Sequence, residues 1–433
     1  MEVKPGYKMT EVGVIPEDWE ATKLGRCSTF KTGPFGSALH QSDYVYDGVP
    51  VVNPMQILDG TLVPTSHMSV AEQAARRLTD FRICFGDIVI GRRGEMGRCA
   101  YVLPQQDGWL CGTGSMIIRV SRSVDARFIQ RLLASAPIIA AIENTSVGST
   151  MINLNQSTLE NLVIPLPPTK AEQEAIASAL SDVDVLIESL EQLIAKKRNI
   201  KQGAMQELLT GKRRLPGFQQ KAGFKDSEVG LIPEDWELCS LSEFSAFITK
   251  GSTPTTYGFG WESTGVLFLR SECVSEHGLD LSQSMFISED AHSSLRRSSV
   301  KHGDILVTIT GNVGRVVLFD LYEDANINQH IARVRIVSSD ICDSFVYYFL
   351  SLPLSKKRFN SILTGQAYPQ ISLKQVRDTQ IPLPSTKAEQ EAIAVILSDM
   401  DADITSFEVK LSKARHLKQA MMQELLTGRI RLV

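Results

Sequence analysis

The 433-residue chain repeats itself at a fixed offset of 217 residues. Gly13-Val14-Ile15-Pro16-Glu17-Asp18-Trp19 returns as Gly230-Leu231-Ile232-Pro233-Glu234-Asp235-Trp236, and 233 minus 16 is 217. At the same spacing Gly86-Asp87-Ile88 returns as Gly303-Asp304-Ile305, and Ile164-Pro165-Leu166-Pro167 as Ile381-Pro382-Leu383-Pro384. Leu208-Leu209-Thr210-Gly211 returns as Leu425-Leu426-Thr427-Gly428. A duplication this long predicts two similar halves related by a pseudo-two-fold axis. Such an object suits a ligand that is itself nearly two-fold symmetric, and duplex DNA is the obvious one.

Each repeat has two unlike parts. The first is rich in glycine, turns and short β-type runs such as Asp304-Ile305-Leu306-Val307-Thr308-Ile309, with short helical patterns between them. This predicts a mixed α/β (α+β) globular domain in each repeat, over residues 1–163 and 231–380. The second part is a long helix, over 164–230 with a linker and over 381–433. Thr169 and Thr386 are plausible N-caps, each followed three residues later by Glu172 or Glu389, a capping-box spacing. No proline interrupts Lys170 to Thr210 or Lys387 to Thr427, and Gly211 and Gly428 are natural stops. Apolar residues recur at 4-3-4-3 spacing: Ile176, Leu180, Val183, Ile187, Leu190 and Ile194 in one helix, Ile393, Leu397, Met400, Ile404, Phe407 and Leu411 in the other. That is a heptad seam, and it predicts two long coiled-coil helices pairing antiparallel rather than helices that only dock on their own domains. About 40 residues at 1.5 Å rise gives roughly 60 Å of helix. Identity between the copies is concentrated in these helices, so they are expected to do one thing twice while the globular domains do related but different things.

The chain shows no catalytic constellation. There is no phosphate-binding Gly-x-x-x-x-Gly-Lys-Ser/Thr loop, no His-Glu-x-x-His and no Gly-x-Ser-x-Gly. Nor is there an adenine-methylating Asn/Asp-Pro-Pro-Tyr/Phe segment; Asn53-Pro54-Met55-Gln56 lacks its aromatic residue. Seven scattered cysteines without a Cys-x-x-Cys pair argue against a disulfide framework or a zinc site, and no metal is expected. No membrane span or signal peptide is legible, so a cytoplasmic location is expected.

Net charge is −4, which counts against a freestanding nucleic-acid binder. Counting by segment gives 15 Lys+Arg against 16 Asp+Glu over residues 1–163, and 13 against 17 over 231–380. A DNA-binding surface must therefore be local, or partner subunits must supply much of the phosphate attraction. Candidate base-reading residues lie on turns that differ between the copies. In the first they are Lys31, Thr32 and Ser37, Arg92 and Arg93, and Asn153 and Asn155. In the second they are Lys250, Ser252 and Thr253, Asn312, and Gln366, Tyr368 and Gln370. Lys and Arg match guanine edges, Asn and Gln adenine, and Thr methyls or aromatics the thymine methyl. Groups rather than single members carry this expectation. The glycine-bearing turns ending in Arg98 and Arg315 read as links between strands, with phosphate contact by those arginines as the functional alternative. Trp19 and Trp236 read as core anchors.

The duplicated layout resembles the specificity subunit of type I restriction–modification systems. The resemblance is carried by Ile-Pro-Glu-Asp-Trp at 15–19 and 232–236, by Ile-Pro-Leu-Pro followed by Glu-Gln at 172–173 and 389–390, and by Leu-Leu-Thr-Gly ending each helix. It implies two target-recognition domains, each reading half of a split, asymmetric DNA sequence. It implies central helices that fix the gap and dock two methyltransferase subunits. Those partners would use S-adenosylmethionine to methylate adenine; two motor-nuclease subunits, with ATP and Mg, could join to cut DNA. The chain itself would be non-catalytic and bind no cofactor. Two other readings remain open from the residues: a specificity subunit whose partner fuses methyltransferase and nuclease, and a two-domain protein-binding scaffold. A self-contained methyltransferase is disfavoured by the missing cofactor motif.

Overall fold

The computed structural model describes residues 4–34, 38–144, 153–218, 223–276, 278–365 and 369–432. The chain divides into two compact units, one of residues Met1–Glu191 with Val409–Val433 and the other of Gln192–Glu408. Each contains one globular α/β domain and parts of both long helices.

In the first unit a four-stranded antiparallel sheet runs in the order Cys99–Tyr101, Ile88–Gly91, Ser115–Val120, Ser28–Thr32. A second, mixed sheet has the order Leu110–Cys111, Val49–Val52, Ser69–Val70, Tyr44–Val45, its first pair parallel. In the second unit the corresponding sheets are Thr249–Lys250, Ile331–Val334, Ile305–Thr308, Val316–Leu318, and Met285–Ile287, Val266–Leu269, Ala325–Ile327, Ser299–Val300. Continuous apolar runs such as Ile88-Val89-Ile90 and Ile305-Leu306-Val307 are buried on both faces, as central strands require.

The repeated motifs meet one another. The Ile-Pro-Leu-Pro segments are strands that pair antiparallel with the strands after the tryptophans: Ile164 lies opposite Thr22, and Ile381 opposite Cys239. Both tryptophans are fully buried, as anchors should be. Trp19 sits in a core with Ile176 and Leu180 from the start of the first long helix, and with Leu425 and Leu426 from the end of the second. Trp236 sits likewise with Ile393, Leu397, Leu208 and Leu209. The glycines that end the helices have positive φ, 68° at Gly211 and 70° at Gly428. A Cβ at Gly428 would lie 2.6 Å from Pro16, and one at Gly211 would lie 2.4 Å from Pro233. Glycine is therefore required twice over, for the turn and for the approach to Ile-Pro-Glu-Asp-Trp.

The long helices are Lys170–Leu208 and Lys387–Leu425, 39 residues each. Thr169 Oγ1 accepts from the Glu172 backbone N–H at 3.2 Å, and Thr386 Oγ1 from that of Glu389 at 3.4 Å. The glutamate side chains do not complete the capping box by folding back. Each instead meets an arginine beyond the end of the other long helix. Arg431 donates to both Asp18 oxygens at 2.9 and 3.0 Å and to Glu172, with its guanidinium 5.9 Å from the Trp19 ring centre. Arg214 binds Asp235 and Glu389 in the same way, at 2.8 and 2.6 Å, over Trp236. The glutamines that follow tie helix to domain. Gln173 accepts from Asp125 N and donates to Pro167 O; Gln390 accepts from Cys342 N and donates to Pro384 O.

Between the helices, Asp184 pairs with Lys418 at 2.7 Å and Glu191 with Arg415 at 2.6 Å in the first unit. In the second unit Asp401 pairs with Lys201 at 2.5 Å and Glu408 with Arg198 at 2.6 Å. Numbers rise on one helix as they fall on the other, so the helices run antiparallel within each unit. Of the seam, Ile176, Leu180, Val183, Leu190, Ile194, Ile393, Leu397 and Ile404 are buried, while Ile187, Met400, Phe407 and Leu411 are half-buried. The first turns of each seam pack into a globular core rather than only against the other helix. Among the described residues no helix is long and apolar enough to cross a membrane.

Candidate nucleic-acid interface

In each domain the predicted turns gather at one end of the antiparallel sheet, because hairpin order brings its strand ends together. In the first domain Lys31 and Thr32 end the strand Ser28–Thr32, and the chain then passes through Gly33. Lys31 lies 3.6 Å from Asp80 and over the Phe81 ring. The turn after Ile88–Gly91 carries Arg92 and Arg93. Arg92 Nε donates to Leu154 O at 2.9 Å, and Leu154 N donates back to Arg92 O, so the segment with Asn153 and Asn155 is tied to this turn. Burial lowers the Arg92 pKa from its ordinary value, and the neighbouring Arg93 lowers it further. Arg93 and Asn153 are exposed. Asn155 Oδ1 accepts from Thr158 N at 2.8 Å and from Thr158 Oγ1 at 3.1 Å and caps the helix Gln156–Asn161, which occupies both of its acceptor positions.

In the second domain Lys250 ends Thr249–Lys250, and Gly251, Ser252 and Thr253 follow. Asn312 is exposed on the turn after Ile305–Thr308, where its backbone carbonyl accepts from Thr308 Oγ1. That turn pairs with Gln370 through Thr310, and Gln370 also pairs with Thr364. Ser37, Gln366 and Tyr368 lie outside the described residues. Arg98 and Arg315 both hold backbone carbonyls: Arg98 Nη1 donates to Pro54 O at 3.2 Å and pairs with Glu95, and Arg315 Nη1 donates to Val274 O at 3.5 Å. These bonds engage part of each guanidinium.

One segment at this end escaped the sequence reading. It is the three-residue connector that crosses from one sheet of each domain to the other: 112–114 between Leu110–Cys111 and Ser115–Val120, and 328–330 between Ala325–Ile327 and Ile331–Val334. Thr253 Oγ1 donates to Gln329 Oε1 at 2.7 Å, joining this connector to the predicted turn. No offset match marks it, since 112–114 and 328–330 stand 216 rather than 217 apart and Gly112-Thr113-Gly114 and Asn328-Gln329-His330 share no residue. The arginines at 214 and 431 were legible in principle, since they stand at the same 217-residue offset behind Leu-Leu-Thr-Gly.

Comparison with known proteins gives these features a context. A model of the type I restriction modification DNA specificity domain matches twice, over residues 16–197 and 233–413. The type I restriction enzyme MjaVIII specificity subunit of Methanocaldococcus jannaschii is 26% identical over 428 residues, covering 96% of this chain and 94% of that protein. The type I restriction enzyme EcoBI specificity subunit of Escherichia coli is 25% identical over 400 residues, covering 89% of this chain and 80% of its own length. Among solved structures, the type I restriction-modification system S subunit from M. genitalium has the same fold, with a TM-score of 0.58, 17% identity and 98% of each chain covered.

Proposed function

Because the chain belongs to the type I restriction modification DNA specificity family, we propose that its two domains each read one half of a bipartite, asymmetric DNA target. The long helices set the gap between the halves and dock two methyltransferase subunits, which two restriction subunits can join. The observation that carries this reading is the pairing of one repeated scaffold with two different sets of loop side chains. Motifs that tie strand, helix and tryptophan together recur at one offset, whereas the turns at the sheet ends differ in chemistry. A chain built to present two different reading surfaces in equivalent settings would have this form.

On this reading the chain is not itself an enzyme. S-adenosylmethionine, and ATP and Mg where DNA is cut, are bound by its partners, and the complex works in the cytoplasm. Positive surface from the partners offsets the chain's own charge of −4. The test is methylome sequencing of cells expressing the chain with its methyltransferase. The expected result is adenine methylation at one interrupted, asymmetric motif, absent when either protein is omitted. Methylation by the purified chain alone, or a continuous motif, would overturn the reading.

A further inference from the structure

We infer that the connector between the two sheets is itself a base-reading element, and that the Gln329 side-chain amide reads an adenine edge in the second half-site. This rests on the half-site reading above and assigns a residue to it.

The connector follows one course in both domains. Gly112 N donates to Val52 O at 2.8 Å and Asn328 N to Leu269 O at 3.0 Å. Arg92 N donates to Gly114 O and Ile309 N to His330 O, both at 2.8 Å. Positions 52 and 269, and 92 and 309, are each 217 apart. The strand end that crosses the connector is a glycine in both copies, because a Cβ at Gly33 would lie 1.9 Å from Gly112 O and one at Gly251 1.7 Å from Ile327 O. The connector backbone is thus anchored through the same two bonds in both domains, although the crossing glycine is seated differently, Gly33 N donating to Ser115 O and Gly251 N to Asn328 O, and the connector side chains are unlike. The first connector offers only Thr113, and the Asn53 side chain fills the space beside its glycines. The second offers an amide and an imidazole.

Those two groups are fixed before any ligand arrives. Gln329 Oε1 accepts from Thr253, and its Nε2 lies 3.0 Å from His330 Nε2. His330 N donates to Asn328 Oδ1 at 3.0 Å. With Thr253 donating, the amide Nε2 faces the imidazole as donor, which assigns the proton on His330 to Nδ1. Among the described residues Gln329 still has one amide N–H and one carbonyl lone pair without a partner. That is the pair an adenine edge requires, its N7 accepting and its N6 amino group donating. Gln329 and His330 are half-buried, accessible from one side and held from the other. Thr253, which sequence reading placed in the interface, orients Gln329.

The test uses the full chain co-expressed with its methyltransferase, with methylated motifs read by sequencing. Gln329→Ala removes the amide, and discrimination at one position of the second half-site should fall roughly 5- to 150-fold. Gln329→Glu keeps an acceptor for Thr253 but presents a carboxylate, which matches the cytosine amino group, so preference at that position should move from adenine towards cytosine. The first half-site and the gap should stay unchanged in both. Parental discrimination in both variants, or loss of all methylation in both, would overturn the assignment. A wild-type complex with no bipartite motif would instead overturn the half-site reading and the connector assignment with it.

Discussion

Arg214 and Arg431 show how much a single residue can hold. Arg214 is 9% exposed, and its carboxylate partners Asp235 and Glu389 are 3% and 2% exposed. Desolvation of so tight a cluster is costly, and the bidentate geometry offsets it. Removing the cation leaves two buried carboxylates facing each other, so Arg214→Ala should cost about 3–5 kcal/mol in the unfolding of this unit. Arg214→Lys should recover only part of that, since one ammonium cannot satisfy both forks. Denaturant titration of both variants checks this; an unaltered midpoint for Arg214→Ala would remove the clamp from the account. The sister site is more open and adds a pH signature. Hydrogen bonds from Arg431 hold the Asp18 carboxyl below its ordinary value. A depressed carboxylate contributes stability above its unfolded pKa of about 4 and loses it as pH falls through the lower folded value. The C-terminal tail should therefore loosen in acid, and Arg431→Gln should bring the Asp18 titration, followed by carboxyl NMR, back towards the ordinary value.

At the scale of elements, what was legible in the sequence is what repeats. The heptads, the terminal glycines and the Ile-Pro-Leu-Pro strands recur because they meet equivalent neighbours in both units, and repetition made them visible. The capping box was half right: Thr169 and Thr386 cap, but Glu172 and Glu389 turn to arginines more than 170 positions away in a contact that local spacing does not encode. The connector was illegible for the opposite reason, since its backbone recurs and its side chains do not. Helix length is the element property with the most direct consequence. The proposed gap is set by Lys170–Leu208 and Lys387–Leu425. One added heptad in each keeps the seam in phase and lengthens it by about 10 Å. At about 3.4 Å per base pair this is roughly three base pairs. The expected outcome in a methylome is the parental half-sites with a longer gap; an active variant with the parental gap would refute the ruler.

At the scale of the whole molecule, the joints between domain and helix decide whether the domains are interchangeable. The strand pairing of Ile164 with Thr22 and of Ile381 with Cys239 is main-chain bonding. Gln173 and Gln390 bind backbone groups of the domains, at Asp125 and Cys342. The clamp residues that travel with a domain, Asp18 with Trp19 and Asp235 with Trp236, are the same in both copies, whereas Arg131, which pairs with Asp184 on the first helix, has as its counterpart Tyr348, whose hydroxyl donates to Asp401. Replacing residues 231–380 by a second copy of 14–163 therefore brings Asp18 and Trp19 to Arg214 and Glu389 without loss of the clamp. The helices run antiparallel in each unit, so the two identical domains should address opposite strands. With its methyltransferase the hybrid should modify an interrupted palindrome made of the first half-site and its inverted copy. The reciprocal hybrid should modify the palindrome of the second half-site. Recovery of the parental asymmetric target from either hybrid would mean that the globular domains do not carry sequence choice. A direct repeat in place of an inverted one would mean that the domains do not meet DNA in the opposed sense that antiparallel helices imply.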